Sequence, residues 1–329
     1  MGIQAQSRLA RTSATIGGIG WVILAGVRTS ASSETELINK ILLLGILVIV
    51  PLGLSLVAGS GRNDRHPFVY RLTVFAQPIG ALAAAASFFL EQSVGAALLA
   101  SLWFLVTSLI ALYGLRRFLS RGFRPAEELS IDAGLVFLPV GGVWFILSRL
   151  GIQPLGFGDT IVLLTAVHFH FAGFAAPLLA GLAGRTISPL SPVRKLFQIA
   201  VFCIIIGVPL VAAGITASPS LALVGAVTIS SGLFFLALIV VGWVMKSVWS
   251  LPARILLAIS SVSSCAAMLL AMAYAYSIVS KRLILDIPQM ARMHGIVNAF
   301  GFALCGLTAW LFIKPAQRGA GKSHTDQGP

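Results

Sequence analysis

Charge is what this chain has least of. Asp, Glu, Lys and Arg make up 10% of its 329 residues, against about 25% in a soluble domain. A water-soluble exterior cannot be covered with so few polar groups, so the solvent around the fold must be lipid. Acids are scarcest: 10 Asp and Glu face 23 Lys and Arg, a net charge of +13. In a soluble protein that excess would point to nucleic acid. Here the basic residues sit in short loops between apolar runs, as cytoplasmic loops of membrane bundles do, so no nucleic-acid partner is expected. Cysteine is almost absent. Cys203, Cys265 and Cys305 all lie inside apolar segments, form no CxxC pair and build no disulfide framework. Also missing are a G-x-S-x-G elbow, a Walker loop, H-E-x-x-H, a dinucleotide fingerprint and spaced histidine boxes. Nothing in the sequence identifies a cofactor, and no metal is assigned.

What is present is a series of long apolar runs, 57% of the chain being hydrophobic with mean hydropathy +0.96. A span needs about 20 such residues. That ruler gives a short, glycine-rich segment at 13–28, then 39–58, 67–89, 94–115, 131–149, 159–183, 196–216, 220–245, 252–279 and 288–313. The expected fold is all-α: a polytopic transmembrane bundle of about ten helices, nine of them strong, forming one domain over 1–313 with a disordered cytoplasmic tail at 314–329. The N-terminus has a signal-like charge order without an A-x-A site, so it reads as a retained first helix. Its Met-Gly start has Gln6 where myristoylation wants Ser or Thr. Of the 23 Lys and Arg, 17 fall on one side, among them Arg116, Arg117, Arg121, Arg124, Arg185, Arg194 and Lys195. The positive-inside rule puts that side and both termini in the cytoplasm. Pro78, Pro139 and Pro209 are expected to interrupt their helices.

Ionisable residues inside spans are costly and mark candidate functional positions. "TAVHFHFAGF" (165–174) places His168 and His170 roughly 15 Å into the sixth helix. On a regular helix they point about 200° apart, so they do not clip one metal ion. His170 shares its side with Ala166, Gly173 and Pro177, the character of a helix contact. His168, beside Thr165, is the one expected to face a cavity. In the last helix His294, Asn298, Cys305 and Thr308 fall within about 80° of arc at 100° per residue. Arg292 sits near their outer end, placed to hold an anion. Glu127, Glu128 and Asp132 open the fifth helix, where acids favour a helix N-terminus and offset Arg116, Arg117, Arg121 and Arg124. Ser260, Ser261, Ser263 and Ser264, with Thr228, Ser230 and Ser231, offer a polar path or helix-to-helix bonds.

The "HFHFAGF" core and "MARMHGIVNAFGFALCG" (290–306) resemble the YndJ-like family of bacterial membrane proteins. The resemblance covers roughly 127–183 and 290–306. It implies a bacterial membrane location and singles out Glu128, Asp132, His168, His170, His294 and Asn298 without giving them roles.

The residues lead first to a membrane-embedded enzyme performing acid–base chemistry (isomerisation, cyclisation or hydration) on a lipophilic substrate. Its catalytic candidates are His168, His294, Asn298, His170, Asp132 and Glu128, with Arg292, Thr165 and Cys305 as substrate-binding candidates. Histidine suits the task because its pKa lies near neutrality. The alternative is a proton-coupled transporter of a small solute. Two further readings are a metal or haem protein joining His168 or His170 to His294, and a packed bundle with an interaction role.

Overall fold

A computed structural model describes residues 3–27, 33–57 and 67–313; the expected tail at 314–329 lies outside them. Among the described residues the chain is entirely helical, with no strand. Ten helices run in order: α1 (Ile3–Gly26), α2 (Glu34–Val57), α3 (Pro67–Ser87), α4 (Val94–Arg121), α5 (Ala126–Leu150), α6 (Asp159–Gly184), α7 (Arg194–Ala217), α8 (Pro219–Ser247), α9 (Leu251–Ser280) and α10 (Ile287–Leu311). Nine of them, α2 to α10, are long and apolar enough to cross a membrane.

Local chemistry sets the ends. Ser93, Ser218 and Ser250 cap α4, α8 and α9 by accepting a backbone N–H from the first turn, and Asp286 with Gln289 forms a capping box on α10. Gly122 and Gly151 stop α4 and α5 at φ of 76° and 68°, which glycine adopts without strain.

The first helix starts before the apolar stretch at 13–28 because its polar residues face protein. Gln6 and Ser7 are buried. Ser7 donates to the Ser55 carbonyl (2.7 Å) and the Trp21 indole donates to the Lys40 carbonyl (2.7 Å). These bonds tie α1 antiparallel to α2 near both ends, so α1 traverses the bundle although its composition is the least apolar.

At the centre stands α2, apolar on every side and 94% buried over its most hydrophobic stretch; α6 follows at 72%. A helix hydrophobic all round belongs inside. The outer helices turn Leu119, Phe202 and Val262 outward, while Phe123 and Trp249 sit exposed at one end of the bundle and Phe89 and Leu283 at the other. Lipid takes the first set, and the second suits the headgroup level.

The expected interruptions are corrected. α3, α5 and α7 run unbroken past Pro78, Pro139 and Pro209. The irregularity sits elsewhere, in π-helical turns at Gly45–Ile49 of α2, Phe169–Ala175 of α6, Val240–Val244 of α8, and Ala291–Gly295 and Val297–Leu304 of α10. A π turn carries one extra residue and loosens the local bonding ladder. Side chains meet carbonyls in or beside three of these segments: Gln77 donates to Ile46 O (3.3 Å), His170 to Ala166 O (2.8 Å) and Ser260 to Phe302 O (2.8 Å). Inside a bilayer such bonding is what makes the distortion tolerable. The distorted turns Gly45–Ile49, Phe169–Ala175 and Val297–Leu304 pack against one another; His170 lies in that junction, His168 immediately before it and His294 in the neighbouring π turn of α10.

Candidate functional site

His170 is fully buried in a slot of small residues. A Cβ added at Gly141 of α5 would lie 2.9 Å from its Nδ1, and one at Gly45 of α2 would lie 3.2 Å from its Cβ. The Trp103 indole of α4 donates to Nε2 at 2.9 Å, with the rings 5.9 Å apart and nearly parallel. Because indole nitrogen only donates, Nε2 is the acceptor and Nδ1 carries the proton that goes to the Ala166 carbonyl. Both nitrogens are engaged and the ring is neutral. This imidazole pins α4, α5 and α2 to α6 and has no free nitrogen for a substrate.

His168 is different. Its Nε2 is buried and without a hydrogen-bond partner among the described residues. His294 lies within electrostatic reach of it. The Nδ1 of His294 bonds the Ala267 carbonyl of α9 at 2.8 Å; a carbonyl only accepts, so Nδ1 bears the proton and Nε2 presents a lone pair. Two half-buried imidazoles on α6 and α10 thus lie about one-third of the way along their helices, toward the same end of the bundle and within electrostatic reach of each other.

The polar stripe of α10 assumes a regular helix, which this one is not. His294 lies within one π segment and a second, Val297–Leu304, stands between it and Cys305; each extra residue rotates the later side chains by about 100° relative to a regular helix. Asn298 and Cys305 are half-buried. Gly301 faces Ser263 of α9, Gly306 faces Ser260, and Gly295 faces Ile41 of α2. Thr165 donates back to Ile161 O (2.8 Å) in its own helix, and Arg292 is exposed at the end of α10.

The carboxylates lie at the other end. Arg117 donates to Asp132 Oδ1 (2.7 Å) through Nε and to Glu128 Oε2 (2.6 Å) through Nη2. Arg121 also bonds Asp132. Arg185 bonds both oxygens of Glu128 (2.7 and 3.0 Å) and the Leu56 and Val57 carbonyls at the end of α2. Arg194 pairs with Glu127 at 2.6 Å and lies over Phe197. This charged knot joins α2, α4, α5, α6 and α7. From His168 to Arg185 the chain advances 17 residues, about 25 Å along a helix. Glu128 and Asp132 therefore do not share reacting atoms with His168 and His294. Their arginines were only half legible: Arg117 and Arg121 are neighbours in sequence, whereas Arg185 and Arg194 reach their acids across 57 and 67 residues. Trp103, whose indole fixes His170 across 67 residues, gave no sequence signal.

Of the serines, Ser260, Ser261 and Ser264 border a small cavity with Leu179, Leu233 and Phe302, of about 20 Å³, room for roughly one water molecule. Thr228 bonds its own helix at Val224 O (2.7 Å). The serines border a small gap beside α9 at this point, and Ser260 also bonds the Phe302 carbonyl of α10 (2.8 Å). Among the described residues no group of three or more metal-binding side chains occurs.

Comparison with known proteins places this architecture. No solved structure matches the chain. An uncharacterized membrane protein, YndJ of Bacillus subtilis (strain 168), is 29% identical over 285 residues, 87% of this chain and 50% of the relative. The chain spans about half the length of that curated relative. The family profile described as YndJ-like protein matches residues 40–302, which takes in α3 to α9 whole, most of α2 and His294 and Asn298 of α10. With the helices and the histidine junction both inside the matched region, the chain belongs to the YndJ-like family of multi-pass membrane proteins.

Proposed function

We propose that this chain is a membrane-embedded acid–base catalyst, acting within a single transmembrane domain on a lipophilic substrate at the His168–His294 junction. The observation that carries the reading is the buried Nε2 of His168, without a partner among the described residues and within electrostatic reach of His294. A buried polar atom without a partner is costly and rare, and such costs are tolerated where a ligand completes the site. His294, its Nδ1 proton held by Ala267 O, has the lone pair of a general base. His168, with its proton on Nε2, is the matching acid. One imidazole takes a proton from the substrate while the other returns one at a second atom, so isomerisation leaves the pair neutral overall once protons re-equilibrate. Cyclisation and hydration need the same two proton transfers.

His168→Ala and His294→Ala are expected to keep the helical content and detergent stability of the parent while turnover of a lipophilic compound falls by about 100-fold or more. Equal loss of folding in both variants removes the reading. The second reading, a proton-coupled transporter, draws on the charged knot, which ties five helices at the end opposite the histidines and would serve as a gate. Solute uptake into proteoliposomes that varies between pH 5 and pH 8 would favour it.

A further inference from the structure

We infer that the small cavity between α6, α8, α9 and α10 is the binding site of one internal water molecule, held by Ser264 together with Ser260 and Ser261. The three serines come from one face of α9. At 100° per residue they fall within about 100° of arc, with Ser264 between the other two. Residues three and four apart on a helix stand about 5–6 Å from Cβ to Cβ, and a water bonded to two hydroxyls spans that gap with bonds of about 2.8 Å each. All three serines line the same cavity, whose other walls include Leu179 of α6, Val240 of α8 and Phe302 of α10.

Ser264 is 2% exposed, and its Oγ is buried with no partner among the described residues. A hydroxyl carries one donor and two lone pairs, and leaving them all unmet in a dry interior is costly. Ser260 donates to the Phe302 carbonyl at 2.8 Å, which leaves its oxygen free to accept. Ser261 adds a third hydroxyl to the same wall. The cavity measures about 20 Å³. One water needs about 10–15 Å³ and two to four polar partners, whereas a cavity walled only by apolar groups stays dry. Size and chemistry therefore agree on water. A cation fits less well, because among the described residues no carboxylate borders the cavity and a charge without a counter-charge is disfavoured in a dry interior. Bound there, the water completes Ser264 and joins it to the Ser260–Phe302 bond, fastening α9 to the π turn Val297–Leu304 of α10. The inference does not depend on the histidine reading.

The test is an experimental structure of the full chain at a resolution that shows ordered waters, joined to melting of the parent and of Ser264→Ala in detergent. Density is expected for one water within about 2.6–3.2 Å of Ser264 Oγ and of at least one of the other two hydroxyls. Ser264→Ala removes a ligand of that water and should lower the melting temperature by about 1–3 °C. In a dry cavity the sign reverses, because the same change would remove an unmet hydroxyl and raise melting. Absence of the density, or a Ser264→Ala variant that melts no lower than the parent, overturns the inference. So does parent melting that rises in sodium chloride but not in choline chloride at equal ionic strength, since the occupant is then a cation.

Discussion

His168 and His170 are separated by one residue and have opposite fates. His170 has every polar atom paired and glycines pressed against its ring; His168 keeps a buried nitrogen with no partner among the described residues. The difference comes from neighbours rather than from the histidines themselves. Gly141 is the residue on which the slot depends: a methyl there would sit 2.9 Å from His170 Nδ1 and 3.1 Å from the Ala166 carbonyl. Gly141→Ala should therefore destabilise the protein by about 1–3 kcal/mol, the usual cost of overpacking. Detergent or denaturant unfolding measures it, and a neutral outcome would mean the ring has room to move. The structural role of His170 also makes it a control, because its loss should weaken folding whereas loss of His168 should not.

Helices were legible in the sequence and their distortions were not. About 20 apolar residues between basic loops have few other uses, so the positions of α2 to α10 follow from hydropathy, with boundaries moved mainly by caps. π turns leave no such mark, because one extra residue in a ladder changes neither composition nor charge. A constant angle per residue does not hold through the two π segments of α10, so the spacing of a regular helix does not fix where Asn298 and Cys305 stand relative to His294. The acids of α5 were visible, yet their arginine partners come from three other helices, and pairing across such distances depends on how the helices assemble. The knot yields a graded expectation. Glu128→Gln, at a side chain 4% exposed and bonded by two arginines, should cost about 3–5 kcal/mol in unfolding measurements. Glu127→Gln, at 11% exposure with one arginine, should cost clearly less. Equal costs would show that the network is not shared as described.

Across the whole molecule, the two polar centres occupy opposite ends of one bundle: neutral imidazoles at one, paired charges at the other. The positive-inside rule, applied to the excess of Lys and Arg at the second end, predicts that this end faces the cytoplasm. Cysteines introduced at Phe123 and at Leu283, exposed at 74% and 85% on opposite ends, should behave differently toward an impermeant thiol reagent on intact cells. Leu283→Cys should label and Phe123→Cys should not; the reverse pattern would invert the topology. The catalytic reading rests on the meeting of α6 and α10, and solid-state NMR of ¹⁵N-histidine-labelled protein in bilayers tests it most directly. The account predicts a neutral His294 protonated on Nδ1, whose resonances shift when His168 is replaced by Gln, while those of His170 keep their hydrogen-bonded Nδ1–H pattern. A His294 signal indifferent to that replacement, or protonated on Nε2 instead, would contradict it.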